Sequence, residues 1–169
     1  MLQRIQTVYM LASVIAILMM LLFPLGTIES ADAFFNVSAL GVTSVTEGVV
    51  LDEMRYGLLA LLLLMLFLPL ICIFLYKKRT LQTRIMIYTA LLDVLFYAYF
   101  FFYELPAVKA LAARALELSG FAPEVSADCS FALFAMPALS CFACLMAWRG
   151  IVYDIALLAS ADRLRPSKK

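Results

Sequence analysis

Histidine is absent from the 169-residue sequence, and charged residues make up only 15% of it. The missing imidazole excludes a histidine base, a histidine metal ligand and a histidine pH switch. Hydrophobic residues make up 66% of the chain, whereas about half is typical of a soluble domain. The sequence therefore predicts an integral membrane protein, and we expect neither a cofactor nor a nucleic-acid partner.

The residues after Arg55 predict a membrane-spanning helix and its direction. Residues 56–76 contain no charge, and four cations follow within residues 77–84. A helix needs about twenty apolar residues to cross the hydrocarbon core of a bilayer. Because clustered Lys and Arg mark the cytoplasmic side, this helix is expected to end in the cytoplasm.

Three further apolar runs complete the predicted architecture. The expected spans are residues 5–25, 56–76, 84–104 and 129–149, followed by a cytoplasmic tail at 150–169. In this arrangement ten of the thirteen Lys and Arg residues lie on the cytoplasmic side, as the positive-inside rule requires. We therefore predict a single membrane domain over residues 1–169. Its expected fold is an all-α bundle of four transmembrane helices with both termini in the cytoplasm.

The first apolar run has a second interpretation as a secretory signal peptide, because Arg4 precedes it. The apolar stretch of a signal peptide is about 7 to 15 residues long. The run in this sequence extends from Ile5 to about Leu25. A retained membrane anchor is therefore the favoured interpretation.

Two connections are expected to form a small cap on the outer side. Residues 26–55 are too few for a core of their own, and their Val, Thr and Ser content with Gly41 predicts a short β-hairpin or an extended segment. Pro106 and Gly120 bracket a second segment as start and stop signals of a helix. The apolar residues of this segment that share one face are Val108, Leu111, Ala115 and Leu118. They predict an amphipathic helix over residues 106–118 that lies on the outer surface of the membrane that the protein spans.

Asp93 is the one acidic residue in the interior of a predicted span, since Glu104 stands at the end of the third span. It lies near the middle of the third span, where a carboxyl group costs about 2.5 to 3.5 kcal/mol, so it must face protein or water and not lipid. No basic residue lies at the same depth, and desolvation favours the neutral carboxyl group. Thr89 and Tyr97 lie one helical turn away, and Ser13 or Ser140 is placed to reach it from another helix. These residues form a candidate ion or proton site, with a hydrogen-bonded structural carboxyl group as the alternative.

Cys141 and Cys144 have the spacing of a thiol–disulfide motif. Both lie past the middle of the fourth span toward the cytoplasm, where disulfides are not favoured. Cys144 also belongs to a face of small residues that lets helices approach closely. The members of this face are Ser140, Ala143, Cys144 and Ala147. Packing is therefore the favoured interpretation, and a membrane thiol oxidoreductase is the alternative.

Three segments carry a resemblance to a known family. They are residues 1–9, MLQRIQTVY, residues 77–85, KKRTLQTRI, and residues 160–165, SADRLR. In this order the chain resembles an uncharacterised family of small four-span inner-membrane proteins found in Bacteroidota, catalogued as domain of unknown function 4293. The resemblance implies four helices, a bacterial inner membrane and no assigned activity, and it transfers no catalytic residue.

The leading functional hypothesis is a non-enzymatic scaffold or accessory subunit. All three family-like segments lie on the predicted cytoplasmic side, so we expect a Gln/Arg-rich face there to dock a protein partner or a second copy of the chain. The residues predicted for this docking face are Gln3, Arg4, Gln6, Gln82, Arg84, Asp162, Arg163 and Arg165. The alternative is a small transporter or an ion-coupled or proton-coupled protein centred on Asp93.

The predicted orientation is testable by cysteine labelling of intact cells, after removal of the native cysteines. A cysteine at Thr80 should resist a membrane-impermeant thiol reagent, because the short basic loop faces the cytoplasm. A cysteine at Ala113 should react, because it lies on the outer side. The reverse labelling pattern would overturn the orientation.

Overall fold

The computed structural model describes residues 2–30, 33–46, 51–75, 78–122 and 124–164, and within these ranges the side chains of residues 5–160. The helices are α1 (Leu2–Leu22), α2 (Tyr56–Phe74), α3 (Arg79–Tyr99), α4 (Leu105–Leu118) and α5 (Phe131–Leu164). The strands are β1 (Gly26–Glu29), β2 (Phe34–Val37), β3 (Gly41–Ser44), β4 (Asp52–Met54) and β5 (Ser126–Cys129). A π-helical turn, Phe100–Glu104, lies between α3 and α4.

Four helical stretches in the described chain are long and apolar enough to cross a membrane, in agreement with the four predicted spans. They are Ile5–Leu22, Tyr56–Phe74, Arg79–Leu118 and Phe131–Ser160. Helix α1 packs against α2 and α5, and α3 packs against the same two helices, so the four close into a bundle. We call the end of the bundle that carries the strands the sheet end. The opposite end, with Lys78, Arg79 and Arg84, is called the basic end.

The predicted all-α fold class is wrong, because a five-stranded antiparallel sheet stands at one end of the bundle. The strand order is β4-β3-β2-β1-β5. The hairpin expected in the first connection is only part of this sheet, which takes four strands from that connection. The fifth strand comes from the segment just before α5, and Gly26 of β1 lies opposite Cys129 of β5. Strands of three or four residues with partners so distant in sequence leave no periodic pattern that a local reading can detect.

Helices α3 and α4 form one continuous rod and not a span followed by a helix on the membrane surface. The backbone N–H of Leu105 donates to the carbonyl of Phe100, which closes the wider π-helical turn. Pro106 has no N–H to continue the ordinary helical ladder, and the helix passes it directly after this turn. The 40 residues of Arg79–Leu118 are about 60 Å long at 1.5 Å per residue. That is about twice the 30 Å thickness of a bilayer core.

The sheet covers the apolar face of α4. Its inner face and the β1–β2 connection contribute Ile28, Ala33, Phe35, Val37 and Val42, and α4 contributes Val108, Ala112, Ala115 and Leu116. Leu118, which the amphipathic pattern assigned to the apolar face, is 90% exposed. The helix predicted to lie on the membrane is therefore packed against the sheet.

Two neighbouring phenylalanines on β2 test this packing. Phe35 is 0% exposed and Phe34 is 51% exposed, because successive side chains of a strand face opposite sides. Phe35→Ala should open a cavity and cost about 3 to 5 kcal/mol, whereas Phe34→Ala should cost about 0.5 kcal/mol or less. Limited proteolysis of the protein in mild detergent should show faster cleavage within residues 26–54 for Phe35→Ala alone. Equal cleavage of the two variants would contradict the packing.

Candidate functional site: a buried polar layer between three helices

A layer of buried polar side chains crosses the middle of the bundle. Ser13 of α1, Asp93 of α3 and Ser140 of α5 are all 0% exposed, and we call these three residues the polar layer. On each helix this residue lies one or two turns from an apolar cluster on either side. The cluster toward the sheet end includes Ile17, Phe96 and Leu133, and the cluster toward the basic end includes Met10, Met86 and Cys144.

Hydrogen bonds join the polar layer across the three helices. The hydroxyl of Ser140 donates to Oδ2 of Asp93 at 2.9 Å. The hydroxyl oxygens of Ser13 and Ser140 lie 2.8 Å apart and share a second hydrogen bond. The thiol of Cys144 donates to the Ser13 hydroxyl at 3.4 Å. Of the two serines expected to reach the carboxyl group, Ser140 is therefore the one that bonds to it.

The other carboxyl oxygen of Asp93, Oδ1, is buried without a hydrogen-bond partner among the described residues. Clefts of about 440, 230 and 220 Å³ open at the sheet end, and Asp93 lines none of them. Within the described chain, no group of three or more carboxylate or thiol side chains is placed to hold a metal ion. Asp93 is thus a secluded carboxyl group with one bonded and one unbonded oxygen.

Thr89 and Tyr97, the expected neighbours of Asp93, make hydrogen bonds elsewhere. The Thr89 hydroxyl donates to the Ile85 carbonyl of its own helix at 2.9 Å. The Tyr97 hydroxyl donates to the carbonyl of Phe134 in α5. Tyr97 thereby adds a second tie between α3 and α5, about one turn from the polar layer. The structure brings Asp93 together with Ser140, and not with the hydroxyl groups of its own helix.

At the basic end, two residues predicted to dock a partner are buried inside the bundle. The amide nitrogen Nε2 of Gln6 donates to Oδ2 of Asp154 at 2.9 Å. Nη1 of Arg79 lies 3.6 Å from the same carboxylate oxygen. Nε2 of Gln82 donates to the carbonyl of Cys72 at 3.2 Å. These contacts tie α1 and α3 to α5, and α3 to α2, so neither glutamine is exposed to a partner.

Of the remaining residues of the predicted docking face, those that belong to α1, α3 and α5 lie at the same end. Arg84 is exposed on α3. Gln3 and Arg4 belong to α1, and Asp162 and Arg163 belong to α5, but their side chains fall outside the described residues. Arg165, like Lys77 in the basic loop, also lies outside the described residues.

All four cysteines are free thiols. Cys141 lies with its sulfur 3.7 Å from the carbonyl of Ala90, in contact between α5 and α3. The small-residue face predicted on α5 is buried at all four positions: Ser140, Ala143, Cys144 and Ala147. At the sheet end, burial raises the pKa of the Cys129 thiol, which favours the unreactive thiol form. These positions agree with a packing role for the Cys141–Cys144 pair.

The fold and the polar layer define a small protein with four helices able to cross a membrane, capped by a sheet at one end. The chain belongs to the family described as Domain of unknown function (DUF4293), whose model matches residues 2–164. The predicted membership of domain of unknown function family 4293 is thereby confirmed. No curated protein and no solved structure matches the chain.

The polar layer predicts unequal effects of two serine substitutions on the same helix. Ser140→Ala removes the only hydrogen bond that the described residues make to the Asp93 side chain, and should cost about 1 to 3 kcal/mol. Ser160→Ala changes an exposed residue of α5 that bonds only its own helix and should cost about 0.5 kcal/mol or less. Unfolding by a denaturing detergent measures both free energies. Equal losses would show that the polar layer contributes nothing.

Proposed function

We propose that this protein is a non-enzymatic scaffold or accessory subunit of the bacterial inner membrane, with both termini in the cytoplasm. Its docking surface is at the basic end, and its partner is another protein or a second copy of the chain. The observation that supports this proposal most directly is the length of α5. The helix continues to Leu164, well past Asp154, where it is bonded to α1 and α3.

The end of α5 forms a helical arm, which we define as residues 156–164. From Asp154 to Leu164 the helix extends about 15 Å at 1.5 Å per residue. Gln6 of α1 bonds to Asp154 and therefore lies at the same level. Beyond Gln6, helix α1 extends only about 6 Å toward this end. The arm therefore projects beyond the neighbouring helix, and residues 156–160 are all exposed.

The sequence of the arm combines apolar and charged residues. Leu157 and Leu158 are exposed apolar side chains, and the sequence SADRLR begins at Ser160. A projecting helix with apolar anchors and flanking charges is suited to lie in the groove of a partner. Arg84 and Arg149 are exposed cations at the same end, and they extend the docking surface from the arm to the bundle.

The charge distribution supports the cytoplasmic placement of this surface. Short loops close to helix ends carry the orientation signal in membrane proteins. The start of α3 meets this condition, because Lys78 directly precedes the helix and Arg79 and Arg84 lie in its first two turns. The family resemblance and this cation bias support the proposed inner-membrane location.

Photo-crosslinking from the arm tests the proposed docking. A photoreactive residue at Leu158, which is 51% exposed, should form an adduct with the partner at native expression. The same residue at Leu118, 90% exposed at the sheet end, is the matched control and should form none. Arg163→Ala should weaken the Leu158 adduct, because it removes a charge from the arm. Adducts of equal yield at both positions, or none at Leu158, would contradict the proposal.

A second candidate function rests on the unbonded oxygen of Asp93. An ionisable side chain inside a membrane span is a common mark of an ion or proton pathway, and the buried Oδ1 has no hydrogen-bond partner among the described residues. This candidate is an ion-coupled or proton-coupled protein centred on Asp93. The seclusion of Asp93 from the clefts at the sheet end favours the scaffold over it.

Asp93→Asn separates the two candidates. Asparagine keeps the size of the side chain and an acceptor for Ser140, but it cannot ionise. The scaffold predicts unchanged proton flux in proteoliposomes that contain a pH-sensitive dye, and an unchanged Leu158 adduct. Proton flux present in the wild type and abolished in Asp93→Asn would establish the second candidate and contradict the first.

A further inference from the structure

A polar cleft lies at the sheet end, between the start of α2 and the π-helical turn. Its volume is about 230 Å³. The cleft is lined by Met54, Arg55, Tyr56, Gly57, Tyr99, Tyr103 and Glu104. It lies outside the polar layer, and neither candidate function uses it.

An ion pair forms the inner wall of this cleft. Nε of Arg55 donates to Oε1 of Glu104 at 2.6 Å, and Glu104 is 1% exposed. The Tyr99 hydroxyl donates to Oε2 of the same carboxylate at 3.1 Å. A side chain at Gly57 would place its Cβ 2.6 Å from the Tyr99 hydroxyl, so the glycine leaves room for this contact.

The ion pair holds Arg55 in a fixed orientation with donors to spare. Both carboxylate oxygens of Glu104 are occupied, one by Arg55 and one by Tyr99. Only Nε of the guanidinium takes part in the pair. The two terminal amino groups of Arg55 make no hydrogen bond to other residues in the described part of the chain. An arginine presented in this way is suited to bind phosphate oxygens.

The cleft lies at the depth of lipid headgroups. Tyr56 is the first residue of an apolar helix long enough to cross a membrane. A hydrocarbon core crossed by about twenty residues of α3, counted from Arg84, ends near Glu104. The rings of Tyr56 and Tyr103 are exposed at this level, where tyrosines are enriched in membrane proteins.

We propose that this cleft binds the headgroup of a zwitterionic phospholipid of the ethanolamine class. The lipid phosphate accepts hydrogen bonds from the terminal amino groups of Arg55 and from the hydroxyl groups of Tyr56 and Tyr103. The lipid ammonium group balances the negative charge of Glu53, which also acts on Arg55.

Local charge explains the choice of headgroup. Arg55 is already neutralised by Glu104. Glu53, an exposed residue of β4 directly before the lining residues Met54 and Arg55, adds a further negative charge beside the cleft. A zwitterionic headgroup adds no net charge, and its cation can compensate Glu53. An anionic lipid adds a second uncompensated negative charge to that of Glu53. A choline headgroup carries a cation without N–H donors, so it cannot donate a hydrogen bond to the Glu53 carboxylate.

Native mass spectrometry of the full chain tests the proposal. Delipidated protein in mild detergent is titrated separately with phosphatidylethanolamine, phosphatidylglycerol and phosphatidylcholine. Phosphatidylethanolamine should bind at the lowest concentration, and Arg55→Gln should weaken this binding by roughly tenfold, because it removes a charged hydrogen-bond donor. Arg114→Gln removes the same charge from an exposed position of α4 and should leave binding unchanged.

A second variant keeps the test valid if Arg55→Gln disturbs the fold. Tyr56→Phe combined with Tyr103→Phe retains the Arg55–Glu104 pair and should weaken phosphatidylethanolamine binding by roughly threefold. Equal binding of the three lipids, unaffected in the double variant, would overturn the site. Displacement of the lipid by excess inorganic phosphate, which itself then forms the adduct, would overturn the lipid assignment in favour of a free phosphate.

Discussion

The seclusion of one carboxyl group from lipid is the constraint to which the bundle conforms. A carboxyl group at the centre of a membrane helix costs about 2.5 to 3.5 kcal/mol when it is not accommodated. Asp93 avoids contact with lipid because α3 turns this side chain inward and α5 presents Ser140 to it. Ser13 extends the tie to α1. Interhelical hydrogen bonds of this kind contribute about 0.6 kcal/mol on average. The apolar clusters on either side therefore supply most of the packing free energy. The role of the polar layer is to set the rotation of the helices.

The continuous rod of α3 and α4 connects this bundle to the sheet. Its first half carries Asp93 between α1 and α5, and its second half carries the apolar face that the sheet buries. Glu104 of the π-helical turn bonds to Arg55 just before α2, so the rod is also joined to the start of the second helix. Strand β5 then pairs with β1 and leads the chain into α5. The sheet and the bundle have apolar clusters of their own, and one continuous helix joins them.

Sequence reasoning predicted the parts of this structure that depend on long patterns. Four apolar stretches of about twenty residues were sufficient to predict the number of helical stretches able to cross a membrane. The cost of an acid in lipid was sufficient to predict that Asp93 faces inward. The family relationship was also evident from the three motif segments. The sheet was not predictable in the same way, because each of its strands is only three or four residues long and Gly26 finds its partner at Cys129.

Two local signals were misleading for physical reasons. Pro106 is typical of a first helical turn, yet here the helix continues through it after a π-helical turn. Gln6 and Gln82 resemble surface residues near a helix end, yet Asp154 and the Cys72 carbonyl provide them with buried partners. The charge of Asp154 among apolar residues of α5 was the signal that a polar contact lies there. Because these glutamines are buried, the proposed docking surface consists of the helical arm and the exposed cations Arg84 and Arg149.

Water access at position 93 is the most direct test of the central claim, that the polar layer is a dry structural tie in a scaffold. Asp93→Cys is introduced after removal of the native cysteines and treated in membranes with a small water-soluble thiosulfonate reagent from either side. The account predicts no modification at position 93, while Leu118→Cys in the same background reacts readily. Modification at position 93 would show that water reaches the polar layer, and it would contradict the account.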